Sequence, residues 1–148
     1  MNRIAVGSDE KTSLTEEVIF YLRDKGFEVE LSGALSDDDP NWPIVAHKVA
    51  SLVASGRAIQ GVLFCWTGTG VSIAANKTPG IRAALCSDAE TARGARKWND
   101  ANVLCMSLRT TSIPLAKEIL DTWLVAEVDP SERRNIERIE PVTPAPRV

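Results

Sequence analysis

The chain has 148 residues, 44% of them apolar and 25% charged, with a net charge of −3 at pH 7. That is the size and balance of one ordinary globular domain, enough to bury a core without disulfides or a structural metal. The acidic balance argues against a nucleic-acid binder, and no apolar run approaches the roughly 20 residues of a membrane span. The first residues turn polar at Ser8-Asp9, too soon for a secretory segment, so a cytoplasmic protein is expected.

In chain order, residues 4–7 read as a first strand. Leu14, Val18, Ile19 and Leu22 then recur at helical spacing, and Gly26 stops that helix. Residues 27–31 alternate like a strand, and 36–40 form a polar loop. A helix is expected over 43–54, ended by Ser55-Gly56. Residues 61–65 make a buried strand, 71–76 a short helix, and Pro79-Gly80 a turn. Residues 81–86 read as a fourth strand, after which Asp88 can cap a helix over 89–97. Residues 102–106 make a fifth strand, and Pro114 starts a helix to about 124. A charged tail over 131–139 is expected to be helical up to Pro141, and the last residues, with three prolines, to fray.

Strands alternating with helices predict an α/β protein: a Rossmann-like three-layer fold with a five-stranded parallel sheet, helices on both faces and a C-terminal helical tail. The chain shows no internal repeat and no long linker, so residues 1–140 are expected to form one domain and 141–148 a frayed tail. Ligands of such sheets bind beyond the carboxyl ends of the strands. Three loops therefore draw interest: Ser8-Asp9-Glu10, the segment 65–70, and Trp98-Asn99-Asp100 just before strand five.

The three cysteines, Cys65, Cys86 and Cys105, are odd in number and lack a CxxC pair, against a disulfide framework or a zinc site. Cys86 and Cys105 read as buried small hydrophobes. Cys65 differs, because Trp66-Thr67-Gly68-Thr69-Gly70 follows it and opens a helix. Glycines let the backbone turn sharply and present its N–H groups, and a helix start favours a negative oxygen. A cysteine there is a candidate base or nucleophile. As a bare pattern the segment also fits a structural strand-to-helix turn, and it is not a Walker A loop, because Lys77 comes too late.

The segment 65–77 followed by Pro79-Gly80-Ile81-Arg82-Ala83-Ala84-Leu85-Cys86 resembles the ribose-5-phosphate isomerase B and galactose-6-phosphate isomerase family. Gly7-Ser8-Asp9, Asn99-Asp100-Ala101-Asn102 and the paired arginines of the tail fit the same pattern, so the resemblance spans the chain to about Ile139. It implies an aldose–ketose isomerase of sugar phosphates that works through a cis-enediolate, in a dimer with a shared active site, without a metal or organic cofactor. Carried over, Cys65 is the base, and Thr67 with the amides of Gly68, Thr69 and Gly70 holds the enediolate oxygens. Asp9 binds substrate hydroxyls, and Asn99 does so from the neighbouring subunit. Arg109, Arg134 and Arg138 bind the phosphate. Arg134 and Arg138 are four apart, which puts them on one face of a helix; a solvated charged helix explains the same spacing.

Three positions depart from the family pattern. Glu10 stands where a phosphate-binding histidine is usual, Trp98 where a ring-opening histidine is usual, and Trp66 where a glycine is usual. The only histidine, His47, lies inside the expected second helix and reads as a helix-surface residue. Two readings follow. The substrate is an open-chain tetrose 4-phosphate that needs no ring opening, with Trp66 and Trp98 filling the space of the missing carbon; or Glu10 acts as a base or a hydroxyl ligand on a non-standard pentose phosphate. A non-catalytic sugar-phosphate binder is the competing class. A nucleotide-binding Rossmann domain is disfavoured, because Gly7-Ser8-Asp9 lacks the GxGxxG turn. Whether dimers pair into a tetramer is left open.

Overall fold

Segments that are apolar on both sides form the centre of the sheet, as parallel strands under helices require. In the computed structural model, which describes residues 2–141, these are β1 (Arg3–Ser8), β3 (Gln60–Cys65) and β5 (Val103–Ser107), almost wholly buried. The edges are β2 (Glu28–Gly33), which carries Glu28 and Glu30, and the short β4 (Ala83–Leu85), both only partly covered. Charge and brevity suit strands with one unpaired side. All pairings are parallel, in the order β2-β1-β3-β5-β4.

Six helices follow the strands: α1 (Ser13–Asp24), α2 (Trp42–Ala54), α3 (Thr69–Ala75), α4 (Ala89–Asn99), α5 (Ile113–Val125) and α6 (Arg133–Glu137), the last after a 3-10 turn at Pro130–Glu132. Side chains of successive strand residues point to opposite faces. Ile4, Val6, Phe64 and Leu104 therefore pack under α1, α4 and α5, where Leu22, Ile119 and Trp123 meet them. Ala5, Leu63 and Val103 face the other way, toward Val45 and Val49 of α2 and Val71 of α3. The three-layer arrangement matches the expectation.

Local chemistry sets the helix ends. Thr12 and Thr15 form a reciprocal capping box at the start of α1. Asp88 accepts from the Thr91 amide at 2.6 Å, as the cap expected for α4. Ser112 caps α5, with Pro114 in its first turn.

Most expected boundaries move by one or two residues, and two of the changes bear on the site. The fourth strand is only Ala83–Leu85, because its leading residues are held elsewhere: the Ile81 amide bonds to Thr78 O, and the Arg82 amide to Asn102 Oδ1 at 2.8 Å. The helix expected over 89–97 continues to Asn99 and ends where Asp100 turns left-handed, at φ 46°. Trp98 and Asn99 are thus helical residues rather than loop residues: Asn99 ends α4, and the Trp98 ring reaches back over Gly94, beside Leu85 at the end of β4. The tail is helical only over Pro130–Glu132 and Arg133–Glu137, and its expected frayed end lies, from residue 142 on, outside the described residues.

The motifs 79–86 and 99–102 explain one another here. Asn102 receives the Arg82 amide and donates its Nδ2 to Gly80 O at 2.9 Å. Arg82 donates to the Asp100 carbonyl and carboxylate, and Arg96 donates to the same carboxylate and to Ala101 O. Two guanidinium groups thereby hold a left-handed aspartate in place. Asn102→Ala should lower stability by about 1–3 kcal/mol, read from urea unfolding, because it strands the half-buried Arg82 backbone donor, while water can replace its bond to the exposed Gly80 carbonyl.

Candidate active site

Around β1 the connections reverse direction: one leaves toward β2, while α2 carries the chain back across to β3. Such a reversal opens a crevice at the carboxyl ends of the two strands. Asp9 follows β1 directly, and the turn that carries it is pinned by Ser8, whose Oγ donates to Glu10 O at 2.6 Å and accepts the Glu10 amide.

Cys65 is the last residue of β3. The β3–β5 ladder continues past it: Leu108 N donates to Cys65 O at 2.9 Å and Arg109 N to Trp66 O at 3.1 Å. Ser107 Oγ adds a second bond to Trp66 O. Gly68 then turns at φ +78°; a Cβ there would sit 2.6 Å from Leu85 Cδ1 and 3.0 Å from the Met106 carbonyl carbon, so only glycine fits. The hydroxyls of Thr67 and Thr69 lie 2.7 Å apart.

These groups border a cleft of about 280 Å³ with Cys65, Thr67, Thr69 and Gly70 on one side and Asp9, Trp42 and Trp66 around them. Trp42 was not foreseen. It begins α2, and its ring lies over Gly70, where a Cβ would be only 3.0 Å from Cε3. The signal available in the sequence was positional: the connection after β2 also ends at the carboxyl edge of the sheet, and Trp42 closes it.

The electrostatics separate the titratable groups. One carboxylate oxygen of Asp9, Oδ1, is buried without a hydrogen-bond partner. Burial, and then the neighbouring Glu10, push the Asp9 pKa up, partly offset by a hydrogen bond from its own backbone. Cys86 and Cys105 are sealed in the core as expected. Burial, with Asp88 beside it, pushes the Cys86 thiol up to about 12, and burial raises Cys105 also. His47 is exposed on α2, as expected.

Of the expected site residues, one chain brings together Asp9, Cys65, Trp66, Thr67, Gly68, Thr69 and Gly70, with Glu10 exposed beside Asp9 and Arg109 following the β5 end of the loop. It does not bring Trp98, Asn99, Arg134 or Arg138 to Cys65. Trp98 lies over Gly94 on α4 beside Leu85, and Asn99 ends that helix. Arg134 and Arg138 are exposed on and just after α6, near the far end of α4, where the Asp129 amide bonds to Lys97 O. The four β5 steps from Val103 to Ser107 alone span about 13 Å at about 3.3 Å each.

A thiol ending a parallel strand, bordered by hydroxyls, glycine amides and a carboxylate, gives this doubly wound α/β protein a small polar cleft at the carboxyl end of its sheet. The model of the Ribose/Galactose Isomerase family matches residues 4–142, and the chain belongs to that family. It is therefore an aldose–ketose isomerase of the ribose-5-phosphate isomerase B type. It is 40% identical over 144 residues to ribose-5-phosphate isomerase B of Escherichia coli (strain K12), covering 97% of this chain and 95% of that one. It is 40% identical over 131 residues to the D-erythrulose-4-phosphate isomerase of Pectobacterium atrosepticum, covering 87% and 86%. The crystal structure of a ribose 5-phosphate isomerase from Thermotoga maritima superposes with a TM-score of 0.87 at 41% identity, over 93% of this chain and 97% of that one. No helix among the described residues is long and apolar enough to cross a membrane.

A raised carboxyl pKa means that the folded chain holds the Asp9 proton more tightly than the unfolded chain does. The associated stability is present at acid pH and is lost as pH rises through the folded value. Asp9→Asn should therefore gain stability relative to the parent as pH climbs through the mildly acid range, measured by urea unfolding at stepped pH. In carboxyl-carbon NMR, Asp9 should titrate above Asp88, whose pKa the Thr91 hydrogen bonds hold down.

Proposed function

We propose that the chain interconverts an aldose phosphate and its ketose phosphate through a cis-enediolate, with Cys65 as the base. The thiolate takes the proton from C2 of the aldose and returns it to C1, while a hydroxyl proton passes from O2 to O1. Thr67 and the amides of Gly68, Thr69 and Gly70 hold the developing oxyanion. Asp9 binds the hydroxyls. The observation that carries this reading is that Cys65 borders a cleft among polar hydrogen-bonding groups while both other thiols are sealed in the core.

The substrate this site suits best is a tetrose 4-phosphate. Its phosphate blocks the hydroxyl that would close a furanose ring, so it arrives open-chain. Three things support it: the chain's one histidine is exposed on α2 and away from the cleft lining, indoles occupy two sides of that cleft, and one relative is named for such a sugar. Glu10, beside Asp9, favours the second reading, ring chemistry on a non-standard pentose phosphate. Coupled assays with ribose 5-phosphate and tetrose 4-phosphates decide between the two: vigorous turnover of the pentose alone removes the tetrose reading. Cys65→Ala should lose about 10²- to 10⁴-fold in turnover and in solvent-proton exchange at C2, while still binding the sugar phosphate. A parent protein that binds but never exchanges would be the non-catalytic binder instead.

We further read the enzyme as a cytoplasmic homodimer whose sites are shared. Arg109 serves the phosphate from the same chain, and Arg134, Arg138, Asn99 and Trp98 come from the partner, because within one chain none of the four lines the cleft around Cys65. A partner's cations are needed on charge grounds, since each cleft already holds Asp9 with Glu10 beside it. Mixing inactive Cys65→Ala and inactive Arg138→Ala protomers should restore about one quarter of the parent activity, because half of the dimers are mixed and each carries one intact site. Sites confined to one chain would show no restoration.

A further inference from the structure

Two of the four tryptophans border the Cys65 cleft, one is buried in the core and one covers Gly94 on α4. The two at the cleft are not equivalent. Trp66 is 60% exposed and belongs to the loop that carries Cys65. Trp42 is 44% exposed and comes from a separate element.

The chain fixes Trp42 from both sides. Before it, the Asn41 backbone amide and side-chain Nδ2 both bond to Asp39 Oδ1, at 3.0 and 2.7 Å. After it, Pro43 restricts the first turn of α2. The benzo edge of the indole lies directly over Gly70, with Cε3, Cζ3 and Cδ2 at 3.0–3.3 Å from where a Cβ would stand. A rigid ring thus bounds the cleft beside the very amide assigned above to the oxyanion. The ring is nevertheless 44% exposed and lines the cleft, so part of its apolar surface is open to contact a ligand.

We propose that Trp42 is a specificity-determining residue: its indole, seated on Gly70, is the wall that limits how many carbons lie alongside the Cys65 thiol. This rests on the isomerase reading and deepens it, because it names the residue that selects a four-carbon over a five-carbon chain. The wall is contributed in cis, by Trp42 with Trp66, and does not require Trp98. An aromatic wall against sugar C–H groups discriminates by shape, and one methylene at such a wall is worth roughly 10- to 200-fold.

The test compares kcat and KM for a tetrose 4-phosphate and a five-carbon 5-phosphate in the parent, Trp42→Ala and Trp42→Phe, with Trp42→Leu as a further space-opening variant whose larger side chain guards against misfolding. Trp42→Ala should raise the ratio of kcat/KM for the five-carbon over the four-carbon sugar by about 10-fold or more. KM for the shorter sugar should rise and kcat for the longer one should increase, while Trp42→Phe keeps most of the parent ratio. Parallel loss on both sugars, with the ratio within about twofold of the parent in both the alanine and the leucine variants, overturns the inference and leaves the isomerase reading standing. A parent protein that exchanges the C2 proton of neither sugar overturns that reading, and this inference with it.

Discussion

Past the end of β3 the sheet does not simply stop. The Cys65 and Trp66 carbonyls still accept amides from Leu108 and Arg109, and Ser107 Oγ holds the Trp66 carbonyl a second time. The segment that carries the thiol is therefore tethered like a strand while it turns like a loop. Everything downstream depends on that tether. Gly68 can adopt its left-handed turn against Leu85 and Met106 only because β5 fixes how close the loop comes. The start of α3, the Thr67–Thr69 hydroxyl pair and the contact of Gly70 with Trp42 follow from the same turn. A constellation held by backbone bonds keeps its geometry better than one held by side chains alone, as an anion site requires.

Much of this was legible from residue order. The central strands announced themselves as short apolar runs, because parallel strands are covered on both faces. The Asp88 cap and the turn after Cys65 carried local signals that need no tertiary knowledge. The length of β4 did not, because Ile81 and Arg82 are as apolar-flanked as a strand should be, and only the Asn102 amide, twenty residues later, takes Arg82 out of it. Trp98 and Asn99 looked like loop residues before a strand; Asp100, held by Arg82 and Arg96, lets α4 run through them. Trp42 was legible only in its place at the carboxyl edge of the sheet, for a related reason. Its meaning comes from the missing Cβ of Gly70, a contact across 28 positions of sequence that no local pattern encodes.

The charges give the cleft a direction. Asp9 and Glu10 stand together after β1, and Arg109 follows β5 on the far side of the Cys65 loop. A dianionic phosphate is repelled by the first pair and attracted by the guanidinium, so the proposed substrate lies with its phosphate toward Arg109 and its hydroxyls toward Asp9. The same pair explains why Asp9 resists ionisation: burial disfavours its charge, and Glu10 next to it adds to the cost.

That polarity bears on the absence of histidine from the cleft. Ring opening needs a group that can give and take a proton near neutral pH, and neither indole bordering the cleft can do so. The acidic side chains there are the Cys65 thiol and the Asp9 carboxyl, with Glu10 beside them. On the proposed reading the thiol serves carbon and the Asp9 carboxyl the hydroxyls, which leaves only the exposed Glu10 for a ring oxygen. An open-chain substrate removes that demand. The two indoles then reinforce the choice, because on the inference above Trp42, with Trp66, limits the space along the thiol.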